Sequence, residues 1–259
     1  MLMQQLRGLW EFRLVFSHLV FQHLTLRYRR TALGFLWTLM NPLFTMVITS
    51  VVFSLMMRMN VRSFGVFLFS GLIPWMLFSN CVSQGGSAIL ENEALVKKIY
   101  IPKQIFVMAK CVGLLIDALL SFVCLFLIAI FVGANITPAL LVLPISFLIT
   151  FLFSLGFAMV MSVAVVYFRD AQHIVGIGLQ VGYYLTPIIY PISIIPEKFY
   201  WAFYYNPMYY FIELFRAPIY DGVIPGAYIY IITGIGAIIS LLLGVFVFSK
   251  GENDIVFRL

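Results

Sequence analysis

The stretch Leu26–Pro42 reads LRYRRTALGFLWTLMNP, and it carries the chain from a basic segment into its first long apolar run. Arg27, Arg29 and Arg30 stop where the apolar run begins. Leu33 and Gly34 follow, then Phe35, Leu36 and Trp37, with Asn41-Pro42 inside the run. A cationic collar of this kind anchors the cytoplasmic end of a membrane protein. The same collar can hold an anionic lipid head group arriving from that side. The stretch therefore points to an all-α membrane protein, because a chain in lipid must satisfy every backbone group internally.

The whole composition agrees. Hydrophobic residues make up 63% of the 259, only 10% are charged, and the mean hydropathy is +1.05. Soluble domains are about 45–50% apolar and about 25% charged. The net charge of +6 then speaks to orientation and anionic lipid rather than to nucleic acid, for which no motif is present. Cys81, Cys111 and Cys124 are odd in number, sit in apolar runs, and read as small buried hydrophobes. Arg7 is not followed by a small-residue cleavage site, so the first span is expected to act as the insertion signal.

Upstream of the collar, residues 9–30 read as an amphipathic helix lying at the interface. Glu11, His18, Gln22, Thr25 and Arg29 form a polar stripe at helical spacing, beside Phe12, Val15, Phe16, Leu19, Val20 and Leu26. Arg13, His23 and Arg27 interrupt the apolar face, which argues for the head-group plane over a span. Downstream, six runs approach the ~20 residues a spanning helix needs: about 36–57, 66–84, 106–132, 139–166, 173–190 and 227–248. Gly71 and Pro74 interrupt the second, and Asn41-Pro42 the first, which suggests kinked helices packed in protein.

With the N-terminus in the cytoplasm, 12 of the 16 Lys and Arg fall inside; Arg58, Arg62, Lys198 and Arg216 fall outside. This is a positive-inside bias, and six spans return the C-terminus to the cytoplasm. The largest cytoplasmic loop, 85–105, is charged and carries a short amphipathic stretch through Glu91, Glu93, Leu95, Val96 and Lys98. The outer region 187–226 is apolar, aromatic and broken by six prolines, so short re-entrant helices are expected between spans five and six.

Motifs of chemistry are few. No G-x-x-x-x-G-K-[ST] phosphate loop is present, and neither is an H-E-x-x-H or Cys/His cluster. Asp117 is the one acid well inside an expected span; it serves the transport path or makes a structural ion pair with a basic residue of another helix. Nine of the 14 tyrosines lie between 183 and 220, among them Tyr183, Tyr184, Tyr190, Tyr204 and Tyr205. They form an aromatic belt at the outer interface or a path on which sugar rings stack.

In order, RYRRTALGFLWTLMNPL, FLFSGLIPWMLFSN, ENEALVKKIYIPKQI, YFRD and LTPIIYPISIIPEKFYWAFYYNPMYYFIELFR resemble the permease subunit of ATP-binding-cassette polysaccharide exporters. These type-2 permeases move O-antigen, capsule or teichoic-acid chains. The resemblance implies a single permease domain over residues 1–259, paired with a second copy of itself in the bacterial inner membrane. It implies a separate ATPase subunit that holds ATP and Mg, no cofactor or metal on this chain, and a lipid-linked polysaccharide as cargo. It places the ATPase-coupling helix at Glu91, Asn92, Glu93, Lys97 and Lys98, and the interface helix before Leu33-Gly34. A lipid diphosphate would meet Arg27, Arg29 and Arg30 there, since guanidinium grips phosphate oxygens in a fork. The polysaccharide path would take Tyr183, Tyr184, Tyr190, Tyr204, Tyr205 and Asp117. A drug or lipid permease of the same class, or a membrane-embedded glycosyltransferase or ligase, are the alternatives.

Overall fold

The computed structural model describes residues 11–26, 36–57, 60–132 and 137–259. Every regular element among them is helical. In chain order the helices are α1 (Arg13–Leu26), α2 (Leu36–Met57), α3 (Val61–Asn80), α4 (Gly86–Glu91), α5 (Glu93–Lys98), α6 (Gln104–Val132), α7 (Leu143–Tyr167), α8 (Ala171–Leu185), α9 (Tyr200–Tyr204), α10 (Pro207–Arg216) and α11 (Ala227–Arg258). Four stretches among the described residues are long and apolar enough to cross a membrane: Ser63–Glu91, Gln104–Val123, Pro138–Tyr167 and Ala227–Glu252. The chain is therefore a multi-pass membrane protein in its architecture.

Several boundaries differ from the sequence expectation, each for a local reason. The second apolar run does not stop at residue 84. A π-turn, Cys81–Gly85, joins α3 to α4, so one helical path continues to Glu91. The turn is packed in protein, with Cys81, Val82 and Gly85 buried. Pro74 lies inside α3 without ending it. The fifth run was expected over 173–190, but α8 ends at Leu185. Thr186 has φ −103° and ψ 135°, the extended backbone that a following proline imposes, and Pro187 is that proline. A helix of 15 residues is about 22 Å long, short of a hydrocarbon core of about 30 Å. The last helix runs on past the apolar stretch, through Lys250 and Glu252 to Arg258.

Inside the bundle, hydroxyls that have no water turn back to their own helix. On α7, Thr150 donates to Ser146 O at 2.8 Å and Ser154 to Thr150 O at 2.7 Å. Ser146 also reaches across to Leu214 O of α10 at 3.1 Å. The tightest crossing is α7 on α11. Ser240 donates to Phe153 O at 2.7 Å, and a Cβ placed on Gly244 would lie 2.5 Å from Gly156 O. Gly236, Ser240 and Gly244 recur every fourth residue, the small-residue stripe that lets membrane helices approach backbone to backbone. The second span forms the centre: 72% of its most apolar window is buried, against 28% for the last span.

Candidate functional site

At one end of the bundle, Asn92 breaks the helical path. Its Nδ2 donates to Ala88 O at 2.8 Å, and α5 starts at the next residue. Glu93 sits in the first turn of α5 and Lys97 and Lys98 in the last, the charge order a helix dipole favours. Lys97 donates to Glu93 at 2.5 Å, and its hydrogen bond and charge hold the Glu93 carboxyl below the usual carboxylate range. Glu91 belongs elsewhere: its carboxylate accepts from Lys110 of α6 at 3.0 Å. The five expected coupling residues are therefore neighbours, but the two carboxylates among them have different partners, Glu93 pairing with Lys97 and Glu91 with Lys110 of α6.

Beyond α5 the backbone extends. Tyr100 is 96% exposed and Ile99 is exposed beside it. Lys103 Nζ donates to Glu252 O at 2.7 Å, tying this segment to the C-terminal end of α11. That end is held to α7 as well, where Tyr167 OH donates to Asp254 at 3.2 Å and the Arg258 guanidinium stacks 4.1 Å over the Tyr167 ring. Between them lies a cavity of about 470 Å³ lined by Lys97, Lys98, Tyr100, Pro102, Lys103 and Glu252. The sequence reading stopped at Lys98 and missed this extension; an aromatic next to Pro102 in a basic loop was the available signal.

The expected portal residues, Arg27, Arg29, Arg30, Leu33 and Gly34, lie outside the described residues. The helix that precedes them is described as far as Leu26. Val20 is buried, Leu19 packs on the core, and Leu14 and Phe21 are exposed, so α1 presents its apolar side chains in two directions. His23, expected as an interruption of the apolar face, is turned onto α6. It packs on Gly113 of α6 and its Nε2 lies 3.4 Å from Asp117 Oδ2. Asp117 is thus brought to the interface helix by a basic residue of another helix, the ion-pair alternative of the sequence reading.

On the opposite side, the tyrosines form a chain of rings. Trp75 meets Tyr183 at 5.8 Å between centroids and Tyr183 meets Tyr184 at 5.4 Å. Tyr204 meets Tyr209 at 5.7 Å, and Tyr209 meets Tyr210 at 5.2 Å. Tyr190 bridges the groups: its OH donates to Tyr184 O at 2.8 Å and its ring contacts Phe203 edge-on. Tyr205 is exposed, as are Tyr184 and Tyr204. Asn206 fixes the fold of this region. Its side chain caps α10 by accepting from Met208 N at 3.0 Å, and it donates to Thr186 Oγ1 at 2.9 Å. An apolar cavity of about 540 Å³ opens here, lined by Trp75, Phe78, Phe157, Leu179, Phe203 and Met208.

Arg216, one of the expected outside charges, is buried: only 6% of it is exposed. Its Nη2 donates to Pro187 O at 2.9 Å and to Ile188 O at 3.3 Å. Its guanidinium lies 3.9 Å over the Phe67 ring and 3.7 Å from Glu213. Gly71 makes room for it, since a Cβ there would stand 3.1 Å from Nη2. The overlooked signal was an isolated Arg one helical turn after Glu213 in an aromatic, proline-rich segment.

A helical bundle with a charged platform at one end, a helix fastened beside it and an aromatic cluster at the other end has the parts of a transport subunit. Residues 15–220 match the family described as ABC-2 type transporter. The chain belongs to that family. ABC-2 permeases are transport subunits that normally pair with an ATPase chain. The chain is 33% identical over 223 residues to the O-antigen export system permease protein RfbA of Myxococcus xanthus, covering 85% of this chain and 86% of that one. It is 30% identical over 232 residues to a protein of the same name from Klebsiella pneumoniae, covering 88% of each. The polysialic acid transport protein KpsM of Escherichia coli is 28% identical over 203 residues, covering 76% of this chain and 78% of that one.

Proposed function

We propose that this ABC-2 permease is the membrane subunit of an ATP-driven exporter that moves a lipid-linked polysaccharide, O-antigen in the first instance, across the bacterial inner membrane. The observation that carries the reading is the similarity to O-antigen export permeases over most of both chains. Two copies and two ATPase subunits, with ATP and Mg held by the ATPases, make the working unit. Six spans with both termini in the cytoplasm require α2 and α8 to cross beside the four longer stretches. The short helices α9 and α10 are then the re-entrant elements.

Each region takes a share of the work. The platform at Glu91, Asn92, Glu93, Lys97 and Lys98, extended to Tyr100 and Lys103, receives the ATPase. Arg27, Arg29 and Arg30, with the Leu33-Gly34 turn, admit the lipid diphosphate, because a guanidinium fork matches two phosphate oxygens. Tyr183, Tyr184, Tyr190, Tyr204 and Tyr205 offer ring faces to sugars and hydroxyls to their polar edges.

The test is reconstitution of the chain with the ATPase encoded beside it. Undecaprenyl-diphosphate-linked O-polysaccharide should stimulate ATP hydrolysis and accumulate inside inverted vesicles. ATP hydrolysis that ignores the glycan and responds to a drug or simple lipid would overturn the proposal. Arg29→Lys and Arg30→Lys, which retain charge without the fork, should lower export and the matching Ala variants should lower it further. Full export in both Lys variants would return the arginines to anchoring alone.

A further inference from the structure

Three residues on one face of α6 hold two separate cytoplasmic elements. Lys110, Gly113 and Asp117 are spaced three and four apart, so they stack along a single stripe of the helix. Lys110 Nζ donates to Glu91 Oε2 at 3.0 Å, where the helical path enters the coupling region. Gly113 receives the His23 ring so closely that a Cβ there would overlap it. Asp117 pairs with the same His23, 3.4 Å away, and both side chains are nearly closed off at 8% and 9% exposure. Between the two attachments lies a cavity of about 480 Å³, lined by Gln22, His23, Gln84, Glu91, Asn92 and Lys110.

Val20 and Leu19 already hold α1 to the bundle by apolar packing, so the polar pair is an addition to it. A buried polar pair is a weak source of net stability, because desolvation offsets most of the attraction. Here a directional pair sits beside an open cavity that leaves the interface helix room to move while it remains attached.

We propose that the Lys110–Gly113–Asp117 stripe is a coupling strap. It makes the interface helix follow the coupling region, so that a displacement produced by the ATPase reaches the helix leading into Arg27–Gly34. His23 and Asp117 are positioning residues in this scheme and touch neither ATP nor cargo. The inference rests on the exporter reading, and its test separates the two.

The experiment uses the complete permease–ATPase complex in vesicles and measures export per ATP hydrolysed. Asp117→Asn, His23→Ala and Gly113→Ala should each assemble, continue to hydrolyse ATP, and lose at least about fivefold in export per ATP. Gly113→Ala displaces the His23 ring without removing either partner, so it must share the defect. His23→Gln, which retains an N–H donor, should recover part of the coupling lost in His23→Ala. A spin label at Thr25→Cys, on the exposed side of α1, should change its environment when the wild-type complex binds nucleotide. That measurement decides even where a variant fails to assemble: a label that stays still overturns the strap. Unchanged export per ATP in Gly113→Ala overturns it equally. A wild-type complex that hydrolyses ATP and moves no glycan overturns the exporter reading instead.

Discussion

Gly156 in α7 and Gly176 and Gly178 in α8 all sit inside apolar helices, and their surroundings are opposite. Gly156 lies against the backbone of Ser240 and Gly244 in α11. Around Gly176 and Gly178 nothing lies within 4 Å of where a Cβ would be. The same contrast covers the two helices: α7 buries 14 of its 25 residues, and α8 buries none of its 15. One glycine permits a crossing that the fold is built on; the other two leave a smooth face uncovered. In a membrane the apolar effect does not drive helices together, so close packing has to be made by small residues and polar contacts. A helix whose small residues meet no partner in the monomer is open to lipid or to a second copy.

The strongest way to break the comparison is to fill the crossing. Gly156→Val would press a branched side chain into backbone that cannot rotate away. Overpacking costs about 1–3 kcal/mol, and more where no relaxation exists, so we expect loss of about 3 kcal/mol and little folded protein. Thermal unfolding in detergent should show it; a variant within a few degrees of wild type would mean that α7 and α11 are not locked.

Arg216 tests the same principle with a charge. Arg216→Met leaves Glu213 without its cation and frees two carbonyls at Pro187 and Ile188. Breaking one side of a buried ion pair costs about 3–5 kcal/mol. The loss should concentrate in the outer segment, read as faster proteolysis between Pro187 and Pro207 with the spans still protected. Uniform loosening of the whole chain would show that Arg216 holds the bundle rather than the outer turn.

The open helix predicts the reverse sign. Gly176→Ala and Gly178→Ala should leave monomer stability unchanged or raise it by up to about 1 kcal/mol, since Ala is the better helix former. Gly178→Trp should then act on assembly alone. If α8 meets a second copy, chemical cross-linking of the dimer falls while the melting temperature of the monomer stays. A Trp variant that cross-links as well as wild type assigns the face to lipid.

How far the sequence spoke follows from this same contrast. Hydropathy marks where lipid is tolerated, so the apolar runs were legible, and the short helices of the outer region followed from prolines and aromatics. Where a helix stops is set by single residues: Pro187 shortens α8, while a buried π-turn carries α3 through to Glu91. Asp117 was visible as an isolated acid in a span, but its partner lies 94 positions away. Hydropathy cannot report such a pairing, and it scored His23 and Arg216 by charge alone. Gly156 and Gly176 look identical in one dimension. They differ only because Ser240 and Gly244 return to one of them.

The smallest effect divides the residues proposed for coupling, where Glu91 and Glu93 stand two apart in sequence. Glu93 accepts from Lys97 of its own helix, and that pair is solvent-facing. Exposed pairs are screened and contribute little. The sign of its pH dependence is fixed: Lys97 lowers the Glu93 carboxyl in the folded chain, so the pair contributes above the unfolded pKa and is lost as pH falls through the lowered one. Glu93→Gln should therefore leave stability at neutral pH almost untouched and remove only a shallow slope on the acid side of the ordinary carboxylate range. Glu91 is different because its partner, Lys110, lies on α6 rather than on α5. Glu91→Gln should spare stability nearly as well, yet loosen the coupling region from α6 and lower export per ATP more than Glu93→Gln does. If the two single variants export equally, the ion pairs are interchangeable surface charge and the platform works as one basic patch.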